Sequence, residues 1–224
     1  TANWDGLIEK ALQELTPAYG SLVRVAVKAD DFRVGGRRID VVKFHGCAVR
    51  ARNDEAGYRD LLIARESQIS GWTEQPEHTS MRKHLEVLYT DRPTLMVGLS
   101  AQDANLHTVF ARAIQDLARP WPASPPAVVL SAEQLETYHR NLLKLTYGKN
   151  HQGNATAIAQ SALLGAYAKP ALLALLLSSL TDKLSFLVEH SLLTSWDSTE
   201  VEQLKKNLLL LRDFAASHAE PPSD

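Results

Sequence analysis

Apolar residues return every third or fourth position at the start of the chain. Trp4, Leu7, Ile8, Ala11, Leu12 and Leu15 line one helical face, and Pro17 and Gly20 supply the stop. The spacing then shortens into β-branched runs. Residues 22–27 and 39–44 are predicted strands on either side of the turn signal Gly35-Gly36, either a hairpin or two neighbouring strands. Residues 61–63 are a short buried-strand candidate, and 66–88 are predicted to be largely helical around Trp72. Residues 93–98 form an apolar run too short for a helix and bounded by turn residues, which fits a strand covered on both faces. Asp103 is suited to cap the next helix, whose Leu106, Val109, Phe110, Ala113, Ile114 and Leu117 share a side.

Four prolines between residues 119 and 126 interrupt this alternation. They set the predicted boundary between an α/β part, 1–126, and a helical part, 127–219, with 220–224 as a frayed tail. Residues 127–130 supply one more strand, and helices are predicted over 131–147, 154–168, 170–190 and 199–217. Residues 171–180 are apolar nearly all round, which suits the centre of a small bundle or a subunit interface. Lys169 and Pro170 break this apolar stretch and Lys183 closes it, short of the ~20 uninterrupted residues of a membrane span. No membrane anchor is expected.

Composition narrows the function classes. The 224 residues are 45% hydrophobic, enough for a core without covalent staples, and 24 Lys+Arg stand against 26 Asp+Glu for a net charge of −2. Balanced charge with no basic run gives no electrostatic case for nucleic acid. Cys47 is the only cysteine, so no intrachain disulfide or four-cysteine zinc site can form, and a reducing, cytoplasmic compartment is expected. The other histidines lack metal-ligand spacing, so no metal is expected. Gly-x-Ser-x-Gly, Gly-x-x-x-x-Gly-Lys-Ser/Thr and Gly-x-Gly-x-x-Gly are all missing.

Three places carry candidate chemistry, each with a plain alternative. His45-Gly46 ends a predicted strand, where α/β folds put ligands, and imidazole suits proton transfer; a core-capping histidine is the plain reading. Gly98-Leu99-Ser100, with Asp103 and Asn105, joins a strand to a helix start where backbone N–H groups can meet a phosphate or ribose; packing and capping alone account for it equally. Asn3 and Asp5 precede the first helix, and capping explains one of them.

Thr1-Ala2-Asn3-Trp4-Asp5, Val41-Val42-Lys43-Phe44-His45-Gly46 and Leu95-Met96-Val97-Gly98-Leu99-Ser100 with Asp103 and Asn105 occur in the order and rough spacing of one family. Together they resemble the sirtuin-like (silent information regulator 2-like) NAD-binding fold, in the bacterial branch associated with NAD-consuming defence proteins, over about residues 1–118. The resemblance implies an α/β, partial Rossmann-like parallel sheet followed by a helical C-terminal domain. It places Asn3 and His45 as catalytic residues, and Asp5, Gly46, Gly98, Ser100, Asp103 and Asn105 around the NAD cofactor, with Asn3 and Asp5 facing the nicotinamide ribose and His45 as the base.

Two departures shape the functional expectation. The paired cysteines of the deacetylases' zinc ribbon are missing, so no zinc is expected and water replaces an acylated protein as acceptor: an NAD glycohydrolase, with protein deacylase disfavoured. The family's opening strand and glycine-rich pyrophosphate loop precede its Asn-x-Asp motif and have no counterpart here. The chain therefore reads as a fragment expected to turn over NAD poorly without an upstream segment. The alternative is a non-catalytic interaction or assembly protein that keeps the fold as a scaffold. The helical part carries no motif tied to chemistry, and a homo-oligomer or protein partner is expected of it.

Overall fold

The computed structural model describes residues 1–15, 23–33, 39–69, 71–114, 118–166, 168–190 and 196–217. Pro17, Gly20, Leu22, Gly35-Gly36, Leu117 and the tail 220–224 lie outside these. The architecture is α/β, a partial Rossmann-like parallel sheet arrangement followed by a helical C-terminal part. Helix α1 (Leu7–Leu15) forms as its spacing predicts, with Leu7 and Ile8 exposed.

Strand β1 (Val23–Ala26) pairs in parallel with β2 (Ile39–Val42), Val23 opposite Ile39. A hairpin reverses the chain, so parallel pairing excludes that alternative and leaves two neighbouring strands. Strand β3 (Thr94–Val97) pairs in parallel with β4 (Val128–Ser131), and β4 with β5 (Leu163–Leu164). The described strands thus form two parallel sheets, β1-β2 and β3-β4-β5.

The crossovers between the paired strands β3, β4 and β5 are helical, as is usual for parallel strands. Helices α2 (Ala48–Asn53), α3 (Glu55–Tyr58), α4 (Glu66–Ile69) and α5 (Thr79–Asp91) lead from β2 to β3. Helix α6 (Ala104–Ala113) leads to β4, and α7 (Thr137–Tyr147) and α8 (Ala155–Ala162) lead to β5. Several expectations change here. Residues 61–63 are not a strand: Arg59–Leu61 is a 3-10 turn, and the next residues make one ladder-like bond, Ile63 N to the His45 carbonyl. Leu61 and Ile63 are buried nonetheless, which is why the apolar run resembled a strand. Residues 66–88 break into short pieces, because Gly71 interrupts the helix and Pro76 starts a separate 3-10 turn at Pro76–His78. The helix expected from 131 begins at Thr137, and Leu163–Leu164, too short to show a period, leaves the predicted helix 154–168 to form β5.

One hydrophobic cluster joins Val42, Phe44, Trp72, Val109, Val128, Leu142 and Ile158, so a shared core runs from β2 to α8. Burying each large side chain of this kind contributes about 1.5–3 kcal/mol. The last two helices, α9 (Ala168–His190) and α10 (Ser198–Ser217), pack on each other. Among the described residues α9 is the helix long and apolar enough to cross a membrane, although Lys169 and Pro170 lie in its first turn.

Candidate functional site

Beyond β2 the chain continues as Lys43-Phe44-His45-Gly46. Gly46 has φ +89°, and a Cβ there would stand 2.5 Å from the Leu61 carbonyl oxygen, so glycine alone lets these backbones approach. The approach seats His45: its carbonyl accepts from Ile63 N at 3.1 Å. Its ring stands edge-on to Phe44 and to the fully buried Trp72, with centroids 4.7 and 5.7 Å away.

His45 Nε2 lies 3.2 Å from Asp103 Oδ2. Both atoms are buried and neither makes an aligned hydrogen bond, so the contact is a close electrostatic pair. The other carboxylate oxygen caps α6, accepting from Asn105 N at 2.8 Å and Asn105 Nδ2 at 3.2 Å. Burial pushes the Asp103 carboxyl up, but His45 and the two Asn105 donors outweigh it and hold it below the ordinary 3.8. Asn105 is itself buried, and its Oδ1 accepts from Thr73 Oγ1 at 3.4 Å. Its amide is turned into the protein and supports Asp103.

Between β3 and α6 the turn is held from outside. Gly98 has φ +65° and no heavy atom within 4 Å of the place a Cβ would take, so its backbone is open to approach. Ala101 is fully buried at φ 55°, a conformation that costs a non-glycine residue about 1–3 kcal/mol and persists only under restraint. The restraint comes from two histidines outside the motif. His107 Nε2 meets the Ala101 carbonyl at 2.7 Å, and His139 Nε2 meets the Leu99 carbonyl at 2.9 Å. His139 Nδ1 accepts from Glu136 N, so its Nε2 carries the proton and donates. Ser100 is exposed on this turn.

The opening segment is anchored to the same end of β2. Thr1 N donates to the Val42 carbonyl at 2.7 Å, and Ala48 N donates to the Trp4 carbonyl at 2.8 Å. Asp5 Oδ1 accepts from Leu7 N at 2.9 Å, the capping role for α1. The residue that sequence reasoning missed is Lys43. It is 1% exposed, and its Nζ donates to the Asp5 carbonyl and pairs with Glu9 Oε1 at 2.6 Å. The sequence did carry a signal: one charge inside an otherwise apolar run, Val41-Val42-Lys43-Phe44, has to find partners if the strand is buried.

A cavity of about 540 Å³ lies beside these elements. All of β3 borders it, together with Asn3, Phe44, Gly98, Leu99 and apolar residues of α5 and α6. The structure thus gathers the candidates into two groups. Asn3 and Gly98 share the cavity, whereas His45, Asp103 and Asn105 form the buried pair and its support. Neither His45 nor Ser100 is on the cavity wall, and Asp5 and Gly46 act in capping and in the tight turn. Among the described residues no three His, Cys, Asp or Glu side chains gather as a metal site would need.

The arrangement offers an imidazole held against a carboxylate at the end of one parallel sheet, and an open glycine turn at the end of the other. A sequence profile described as SIR2-like domain matches residues 1–151. No curated protein and no solved structure matches the chain.

Proposed function

The chain belongs to the SIR2-like domain family, and from that premise we propose that it forms part of an NAD glycohydrolase. The observation that carries the reading is the His45–Asp103 contact at 3.2 Å. In the proposed reaction the bond between nicotinamide and the ribose C1′ breaks, its electron pair leaves with nicotinamide, and positive charge develops on the sugar. Water then bonds to C1′ and loses a proton, giving ADP-ribose. His45 takes that proton, directly from the water or through a ribose hydroxyl, and Asp103 stabilises the imidazolium that results. Asn3 orients the ribose or the water. Gly98 supports the fit to a nucleotide, since a backbone open within 4 Å lets a ligand reach N–H groups near the start of α6.

The same reading gives the protein an upstream segment with the glycine-rich pyrophosphate loop. Support comes from the two separate sheets among the described strands and from the cavity that runs along all of β3 and borders Asn3. We also take the setting to be the cytoplasm of a bacterium and the role to be anti-phage defence, as the motif resemblance implies, with the C-terminal helices serving assembly.

Nicotinamide release from NAD tests the reading, measured on the chain with its natural upstream sequence, as wild type and as His45→Ala. Release that the substitution abolishes while the fold is kept supports hydrolysis. Equal release in both, or none in either, leaves the scaffold reading, which the apolar lining of the cavity favours.

A further inference from the structure

The turn from β3 into α6 does not hold its own shape. Gly98 at φ +65° and Ala101 at φ 55° both take the left-handed conformation, which the fully buried Ala101 keeps only under restraint. Two carbonyls of the turn point back at the protein. Leu99 O lies 2.9 Å from His139 Nε2, and Ala101 O lies 2.7 Å from His107 Nε2. A carbonyl only accepts, so both imidazoles carry a proton on Nε2 and donate it. In His139 the other nitrogen agrees, because Nδ1 accepts from Glu136 N within the capping box of α7.

These two bonds fix more than the carbonyls. A trans peptide points its N–H opposite to its C=O, so the imidazoles also set where the Ser100 and Gln102 N–H groups face, which is away from His139 and His107. Ser100 and Gln102 are exposed, and among the described residues neither N–H makes a hydrogen bond. Gly98, just before them, leaves the backbone open to approach. Neither imidazole lines the cavity along β3, whereas Gly98 and Leu99 do. The rings thus reach the site through the turn alone.

Resting on the NAD reading above, we infer that His139 and His107 are positioning residues of the nucleotide site. By drawing the Leu99 and Ala101 carbonyls to the protein, they hold the Ser100 and Gln102 N–H groups out for a phosphate or ribose oxygen of NAD. His139 stands 40 residues beyond Leu99, so the start of α7 serves the nucleotide although it carries no group that meets it. Asp103 is held separately, through Asn105 N and against His45. A loosened turn therefore costs binding more than chemistry.

Nicotinamide release as a function of NAD concentration tests this on the chain with its natural upstream sequence, using His139→Asn and His139→Gln. Asparagine keeps an oxygen for Glu136 N but is too short to reach Leu99, whereas glutamine carries an acceptor and a donor on one carboxamide and replaces both bonds of the ring. His139→Asn is expected to raise KM about threefold to tenfold with kcat within about twofold of wild type, and His139→Gln to return KM to the wild-type value. A role in folding alone would lower stability and leave KM in place. If dichroism shows that His139→Asn does not fold, His107→Asn takes its place, with the same rise in KM expected. Nitrogen-15 spectra of the histidine rings, which need no substrate, are expected to show His139 and His107 protonated at Nε2. A wild-type KM in the asparagine variant, a rise that His139→Gln does not reverse, or a His139 ring protonated at Nδ1 alone overturns the inference and leaves the NAD reading standing. A wild type that releases no nicotinamide overturns that reading, and the inference with it.

Discussion

The carboxylate of Asp103 works with both oxygens at once: Oδ1 caps α6 through Asn105 N, and Oδ2 stands 3.2 Å from His45 Nε2. One side chain thereby ties the start of α6 to the end of β2, although their strands belong to separate sheets. The two duties separate on substitution. Asp103→Asn keeps a capping oxygen but gives up the charge that faces His45, whereas Asp103→Ala gives up both and is expected to lose about 1 kcal/mol more. Urea unfolding followed by dichroism checks the difference, and equal losses for both would contradict the capping role.

Gly46 and Gly98 both have positive φ but differ in surroundings. Gly46→Ala meets the Leu61 carbonyl oxygen at 2.5 Å, while Gly98→Ala meets nothing within 4 Å. The expected cost at Gly98 is backbone strain alone, about 1–2 kcal/mol. At Gly46 the same strain adds to a clash with backbone that cannot swing aside, and the loss is expected to be clearly the larger. Unfolding midpoints of the two variants give the comparison, and the Gly98 variant is expected to lose NAD affinity while remaining folded.

Lys43 brings a charge into the protein interior to join Asp5, Glu9 and β2. Lys43→Met leaves Glu9 without its cation and the Asp5 carbonyl without its donor. Because Glu9 keeps a quarter of its side chain in water, the expected loss is about 1–3 kcal/mol, below the 3–5 kcal/mol of a fully buried pair. Adding Glu9→Gln is expected to return part of it. Hydrogen exchange at Leu7 N and Ala48 N then reads whether the opening segment has loosened.

Acid is expected to destabilise the fold through carboxylates that it holds ionised. Asp31 is raised by burial, but the Val27 and Lys28 amides and Arg50 outweigh this and hold it below the ordinary 3.8. Asp40 is lowered chiefly by its hydrogen bond from Arg24, and Asp103 is lowered as described. A carboxylate with a depressed folded value binds its proton first in the unfolded chain. Its contribution is therefore complete above the ordinary value and is lost as pH falls through the folded one. The urea midpoint is expected to fall on acidification already from neutral pH, because burial also pushes the Thr1 amine down to about 6 and lowers His78 and His84, and to fall further below about pH 5 through these carboxylates, there more gently for Asp31→Asn. A midpoint that rises on acidification would contradict this.

Much of this was legible where one residue type had one use. The period of α1, the β-branched runs of β1 and β2, the apolar run of β3 and the Asp103 cap each follow from local rules and stand in the structure. What was not legible depends on tertiary neighbours. Leu163–Leu164 becomes a strand only because β4 offers an edge, and residues 61–63 fail to become one because Leu62 N bonds back to the Arg59 carbonyl and Ile63 N alone makes a ladder-like bond, to His45. At the site, the residue types at positions 45, 98 and 103 marked the strand ends, but their pairing did not show. His107 and His139 read as helix residues, and nothing in the sequence says that their imidazoles reach the carbonyls of Ala101 and Leu99.

The central claim, that His45 and Asp103 act as one unit on NAD, is tested most directly by a double-mutant cycle on nicotinamide release, using the chain with its natural upstream sequence. His45→Ala is expected to cost about 10²–10⁴ in rate and Asp103→Asn a smaller factor. The double variant is then expected to be no slower than His45→Ala alone, because Asp103 has nothing left to stabilise. Losses that multiply in the double variant, or a His45→Ala enzyme that releases nicotinamide at the wild-type rate, would contradict the account.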